Sequence, residues 1–165
     1  MSVRPILRWP DRRLRTPAEA VPAITDGIRA IWTDMIDTME AMPGVGLAAP
    51  QIGVMLRLAV VDTSETRGRA VRLANPEILD ASSELFEWEE GSPCLPGVSA
   101  RMKRPRRVTV RFLDDRGQLV ERAFADLDAT SVQHQIDHLN GRMYFDNLGA
   151  ARRDLLMRRA RKGRP

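Results

Sequence analysis

The chain has 165 residues, 43% hydrophobic and 29% charged, a balance that fits one folded domain with its own core. No apolar run approaches the roughly 20 residues of a membrane span, and the start lacks the apolar stretch of a secretory signal. The single cysteine, Cys94, has no internal disulfide partner, so the composition points to the cytoplasm. Net charge is +4, but residues 152–165 carry Arg152, Arg153, Arg158, Arg159, Arg161, Lys162 and Arg164 against Asp154 alone, which leaves the remainder slightly acidic. Residues 1–150 therefore read as one domain and 151–165 as a basic helix or tail. Such a tail is either a solvated terminus or an electrostatic handle for an anionic surface such as RNA.

Residues 1–24 hold Pro5, Pro10, Pro17 and Pro22 and read as an extended wrap. Thr25 or Asp26 can cap a helix whose apolar face is Ile28, Ile31, Met35, Met39 and Met42, ended by Pro43-Gly44. GVGLAAPQIG at 44–53 reads as a loop. Leu56 to Val61 reads as a buried strand, Val71 to Ala74 as a shorter one, and Asn75-Pro76 as a turn into a third strand near Ile78. Leu85, Phe86 and Trp88 mark a strand leading into EGSPCLPG at 90–97. Val108, Val110 and Phe112 alternate with polar residues, and residues 119–124 pair back across Asp114-Asp115-Arg116-Gly117 as a hairpin. A second helix runs from about Asp128 to Asn140, with Gly141 as its stop. Hairpin-joined strands without crossover helices predict an α+β fold with antiparallel sheets.

The only histidines, His134 and His138, lie four residues apart in QHQIDHLNG. On a helix both imidazoles share one face and can hold one ion. Two imidazoles do not complete a hydrolytic site, which needs a third ligand and an open position for water. In the related zinc-hydrolase pattern the residue after the first histidine is a glutamate that moves the proton of the metal-bound water. Here it is Gln135, whose neutral amide cannot take that proton.

GVGLAAPQIG, EGSPCLPG and QHQIDHLNG, in this order, resemble the three signature motifs of peptide deformylases. PILRWPDRRLR, LANPEIL and the basic C-terminal segment are similar to that family too, so the likeness spans nearly the whole chain. The resemblance implies antiparallel sheets packed around a central helix that carries the histidine pair, plus a C-terminal helix. It implies hydrolysis of the formyl group from N-formylmethionine on nascent peptides, with an Fe²⁺ or Zn²⁺ ion on His134 and His138. It implies that Gln51 holds the formyl oxygen beside Gly46, that Gly44, Val45, Leu47 and Leu95 wall the peptide site, and that the C-terminal helix docks on the ribosome.

The second motif departs from the family's EGCLS. Aligned without a gap, Ser92 stands where the cysteine ligand belongs, and Pro93 where a backbone N–H supports the oxyanion. An alcohol is a weak ligand beside a thiolate, and proline has no N–H. Cys94 is displaced by about 6.6 Å along an extended chain, so it can be a ligand only if the loop shifts by two residues. Two main expectations follow. One is a deformylase-like protein whose activity is lost or strongly reduced, with no metal if the site is no longer competent. The other is an active metal-dependent deformylase with Cys94 as third ligand. A non-catalytic ribosome- or RNA-binding protein acting through the tail is a third.

Overall fold

The computed structural model describes residues 2–163; Arg164 of the basic tail lies outside them. Helix α1 (Asp26–Ala41) begins where the Thr25 side chain accepts a hydrogen bond from Ile28 N at 3.2 Å. Its buried stripe is Ile28, Trp32, Met35 and Met39. Steps of four, three and four keep these on one face, so Trp32 belongs to the stripe in place of the expected Ile31, which is only partly buried.

Five strands form an antiparallel sheet in the order β1 (Gly46–Ala48), β2 (Leu58–Val61), β3 (Val71–Ala81), β6 (Arg107–Leu113), β7 (Leu119–Ala125). Strand β2 is apolar throughout because both of its faces are covered. Leu58 and Val60 meet α1, while Ala59 and Val61 face helix α2 (Asp126–Leu139). A separate two-stranded hairpin pairs β4 (Leu85–Ser92) with β5 (Leu95–Pro105), and Pro93-Cys94 forms its turn. Helix α3 (Ala150–Lys162) lies on β5 and buries Leu156 and Ala160 in a cluster with Leu95, Met102, Tyr144 and Phe145. The expected α+β architecture, with the histidine helix at its centre, is the observed one.

Three local differences have clear causes. GVGLAAPQIG is not a plain loop: residues 46–48 form β1 and a 3-10 turn (Ala49–Ile52) follows, because Leu47, Ala48 and Ala49 are small or apolar enough to be buried. Residues 71–81 form one strand interrupted by bulges, not two strands across a turn. Asn75 takes φ +50° there, and its side chain accepts from Val21 N at 2.7 Å and donates to Val21 O at 2.8 Å. The left-handed residue thus pins the N-terminal wrap instead of reversing the chain. Strand β5 was not expected from sequence because charged residues interleave it; Met102 and Arg104 are its inward positions.

Gly141 ends α2 at φ +75°, and a Cβ there would sit 2.7 Å from the Arg15 carbonyl oxygen. Gly141→Ala therefore combines a left-handed penalty with a backbone clash. Thermal or urea unfolding should show it less stable by about 1–3 kcal/mol.

Candidate functional site

The centre of α2 is buried on nearly every side, so its polar residues must find partners inside the protein. His134 and His138 lie with ring centroids 4.9 Å apart. His134 Nδ1 lies 2.9 Å from Glu90 Oε1. A carboxylate oxygen only accepts, so Nδ1 carries the proton in this contact. His138 is 1% exposed, and neither ring nitrogen has a hydrogen-bond partner. Burial, reinforced by the neighbouring His134 and Arg104, holds its pKa well below the usual histidine value, so the ring is neutral.

Glu90 is fixed in turn by Arg104 from the paired strand. The guanidinium donates to both carboxylate oxygens at 2.7 and 3.0 Å and to Asp137 of α2 at 3.0 Å. Burial raises the Glu90 pKa, but the hydrogen bonds from His134 and Arg104 outweigh it and hold the carboxyl below its usual range. Period-two alternation in β4 and β5 aims both charged side chains inward, which joins the hairpin to α2 through one buried ionic chain.

Gly46 of β1 faces α2. A Cβ there would collide with the Gln135 amide nitrogen and the Ser131 hydroxyl, so the absent side chain is what lets Gln135 lie flat against the strand. Ser131 donates to Val45 O at 2.9 Å. Gln135 is 3% exposed and its Oε1 has no partner. Gln51 is fixed from both ends of its amide: Oε1 accepts from Ala48 N at 2.9 Å, and Nε2 lies 3.6 Å from Cys94 Sγ.

These elements enclose a cavity of about 310 Å³. Of the residues singled out from sequence, Gly44, Val45, Gly46, Gln51, Ser92, His134 and Gln135 line it. Leu47, Leu95 and His138 do not: Leu47 points into the core beneath α1, Leu95 into the cluster under α3, and His138 is buried behind the cavity wall. Between the two registers left open for the second motif, Ser92 and Pro93 stand in the cavity wall and Cys94 stands outside it. Cys94 is 1% exposed, packed with Leu14, Met102 and Tyr144. Burial raises its thiol pKa against the smaller, lowering influence of Gln51 and Ser92. Among the described residues no group of three His, Cys, Asp or Glu side chains is placed to hold a metal ion.

Sequence reading missed Arg104, Asp137 and Tyr144. Tyr144 stacks on His134 at 5.9 Å with an interplanar angle of 18°. The one available signal was a charged residue at the inward parity of a strand, and β5 itself was not expected.

Glu90→Gln removes the charge that compensates a buried guanidinium and should cost about 3–5 kcal/mol. Because the folded-state pKa of Glu90 is lowered, the ionised carboxyl stabilises fully above its unfolded pKa. That contribution is lost as the pH falls through the folded pKa. Thermal midpoints measured from pH 7 to pH 3 should show the gap between wild type and Glu90→Gln shrinking at the acid end.

The family model of polypeptide deformylase matches residues 3–154. Peptide deformylase of Azotobacter vinelandii is 40% identical over 162 residues, covering 98% of this chain and 96% of that protein. That of Afipia carboxidovorans is 41% identical over 164 residues, with 98% and 96% coverage. The crystal structure of a peptide deformylase from Legionella pneumophila is similar at TM-score 0.91 and 39% identity, covering 98% of this chain and 95% of that one. The Ehrlichia chaffeensis peptide deformylase in complex with actinonin has TM-score 0.91 at 34% identity, with 100% of each chain covered. On the match of sequence, fold and full length, this chain belongs to the peptide deformylase family.

Proposed function

We propose that this protein keeps the formylmethionyl-peptide cleft of its family and has little or none of the hydrolytic step. One observation carries the reading: the cavity beside His134 offers an amide where the reaction needs a proton acceptor. Amide hydrolysis requires a base that takes a proton from water and an acid that returns it to the leaving nitrogen. Gln135 can orient a water or a formyl oxygen but cannot exchange that proton. Glu90 cannot replace it, because both of its oxygens are held by Arg104 and His134. Glu89 lines the cavity too, but its side chain is exposed to solvent.

The metal site supports the same conclusion. The unpaired ring nitrogens of His138 and the free Nε2 of His134 suit a divalent ion. An ion bound there would supply Lewis-acid polarisation and an acidified water. The third donor does not fit: Ser92 offers an alcohol, and Cys94 is held against Gln51 outside the cavity wall. Two imidazoles and an alcohol make a weak set for Fe²⁺ or Zn²⁺. Gln51 and the backbone of residues 44–46 remain placed to hold a formylated N-terminus. Pro93 brings no N–H to the wall, which removes a donor from the oxyanion's surroundings.

Formate release from a formyl-Met peptide, measured with added Fe²⁺ or Zn²⁺, tests this. Wild type should turn over at least about 10²-fold more slowly than Gln135→Glu combined with Ser92→Cys, since a positioned base is worth 10²–10⁴-fold. Brisk turnover by the wild type, with metal bound through Cys94, would establish the active-enzyme reading instead.

A second role is favoured by α3. Leu156 and Ala160 anchor the helix, while Arg158, Arg161 and Lys162 are exposed. Reversing these three charges to Glu should weaken association with RNA or ribosomes and flatten its dependence on salt in co-sedimentation.

A further inference from the structure

We propose that Arg67 is a positioning residue for the cleft: from outside the cavity it sets the shape of the rim at Gly44 and Val45. This rests on the reading that the cleft receives formylated peptides, and it names what holds the receiving backbone in place.

Residues 62–70 join β2 to β3. Asp62 is buried, and its carboxylate closes this loop on itself. It accepts from Ser64 N at 2.9 Å, Ser64 Oγ at 2.6 Å and Arg69 N at 2.9 Å. Within the loop Arg67 takes φ +62°, a left-handed conformation uncommon for a residue with a side chain. Its guanidinium is fully engaged. Nη2 donates to Gly44 O at 2.6 Å and to Glu40 Oε1 at 3.0 Å. Nε donates to Glu40 Oε2 at 2.9 Å, and Nη1 to Asp62 O at 3.0 Å. One planar fork thus ties the end of α1, the loop and the rim together. Arg67 itself does not line the cavity, so it reaches a ligand only through the backbone it holds.

The two carbonyl contacts decide what the rim presents. Asp62 N donates to Val45 O at 3.0 Å, one bond beyond the pairing of β1 with β2. In an antiparallel pair the reciprocal bond would run from Val45 N to Asp62 O. Arg67 holds Asp62 O instead, and Val45 N makes no hydrogen bond among the described residues. Arg67 also holds Gly44 O on the side of the loop. The peptide unit between Gly44 and Val45 is trans and planar, so its N–H points the opposite way from that carbonyl. Ser131 Oγ fixes Val45 O from α2. Gly44, Val45 and Gly46 all line the cavity, so its rim is set by contacts made behind it. A rim fixed before any ligand arrives spares the cost of ordering it on binding.

The test combines amide hydrogen exchange with calorimetric titration of formyl-Met-Ala-Ser into wild type, Arg67→Ala, Arg67→Lys and Glu40→Ala. Arg67→Ala should speed exchange of the Gly44 and Asp62 amides, which bond to Met39 O and Val45 O. The Ala18 amide, bonded to Leu139 O, should be unaffected. A rim ordered about a tenth of the time binds about tenfold more weakly, and that is the loss expected of Arg67→Ala. Arg67→Lys keeps a donor without the fork and should recover part of the affinity. Glu40→Ala removes the ion pair but leaves both carbonyl contacts, so it should keep most of the affinity. Faster exchange at Ala18 as well would mean that the fold itself has loosened, and Arg67→Lys then supplies the comparison with wild type. Equal losses of affinity in Arg67→Ala and Glu40→Ala would show that the pair only braces α1, which overturns the proposal. Unchanged affinity of Arg67→Ala, or unchanged exchange at Gly44 and Asp62, overturns it too and leaves the cleft reading standing. Failure of the wild type to bind the peptide overturns the cleft reading, and with it the role assigned to Arg67.

Discussion

A two-stranded hairpin has too little surface to hold itself in water, yet β4–β5 supplies one wall of the cavity. What holds it against α2 is the buried chain of Arg104, Glu90, His134 and Asp137. Burying a guanidinium and a carboxylate is costly unless each is fully paired. Here the Glu90 oxygens are taken by Arg104 and His134, and the guanidinium also reaches Asp137. The same contacts that recover this cost place a proton on His134 Nδ1, since Glu90 accepts from it. They also hold both Glu90 oxygens and keep its carboxyl below the usual range.

The site keeps its side chains in fixed positions. Gly46 still leaves room for the residue at 135, Gln51 is still oriented by the Ala48 amide, and the histidine pair still lies on the inner face of its helix. Under the proposed function, Gln135, Ser92 and Pro93 stand for a base, a thiolate and an N–H donor, and effects within one such unit do not multiply independently. The charged side chains buried among the described residues, apart from the two histidines, are Asp34, Glu90 and Arg104, which are ion-paired, and Asp62, which accepts from Ser64 and Arg69 N.

Much of this was legible in the chain itself. Apolar spacing showed α1, alternation showed β6, the turn at 114–117 showed β7, and Gly141 marked the end of α2. Periodicity was less informative where a residue's environment comes from distant segments. Charges interleave β5 because its outer face is solvated, so it carried no apolar signal. Asn75 looked like a turn residue, but its amide is satisfied by Val21, 54 positions away, and the strand continues.

From sequence alone came the order of elements, the α+β class, the pairing of two imidazoles on one helix face, and the amide where a base would stand, because each depends on residue identity and local spacing. Tertiary structure alone decided that Ser92 and Pro93 rather than Cys94 face the cavity, that Leu47 and Leu95 point into the core, and that Arg104 governs His134 through Glu90. These depend on strand register and on which side of a turn a residue falls, and a shift of one position reverses the direction of every side chain.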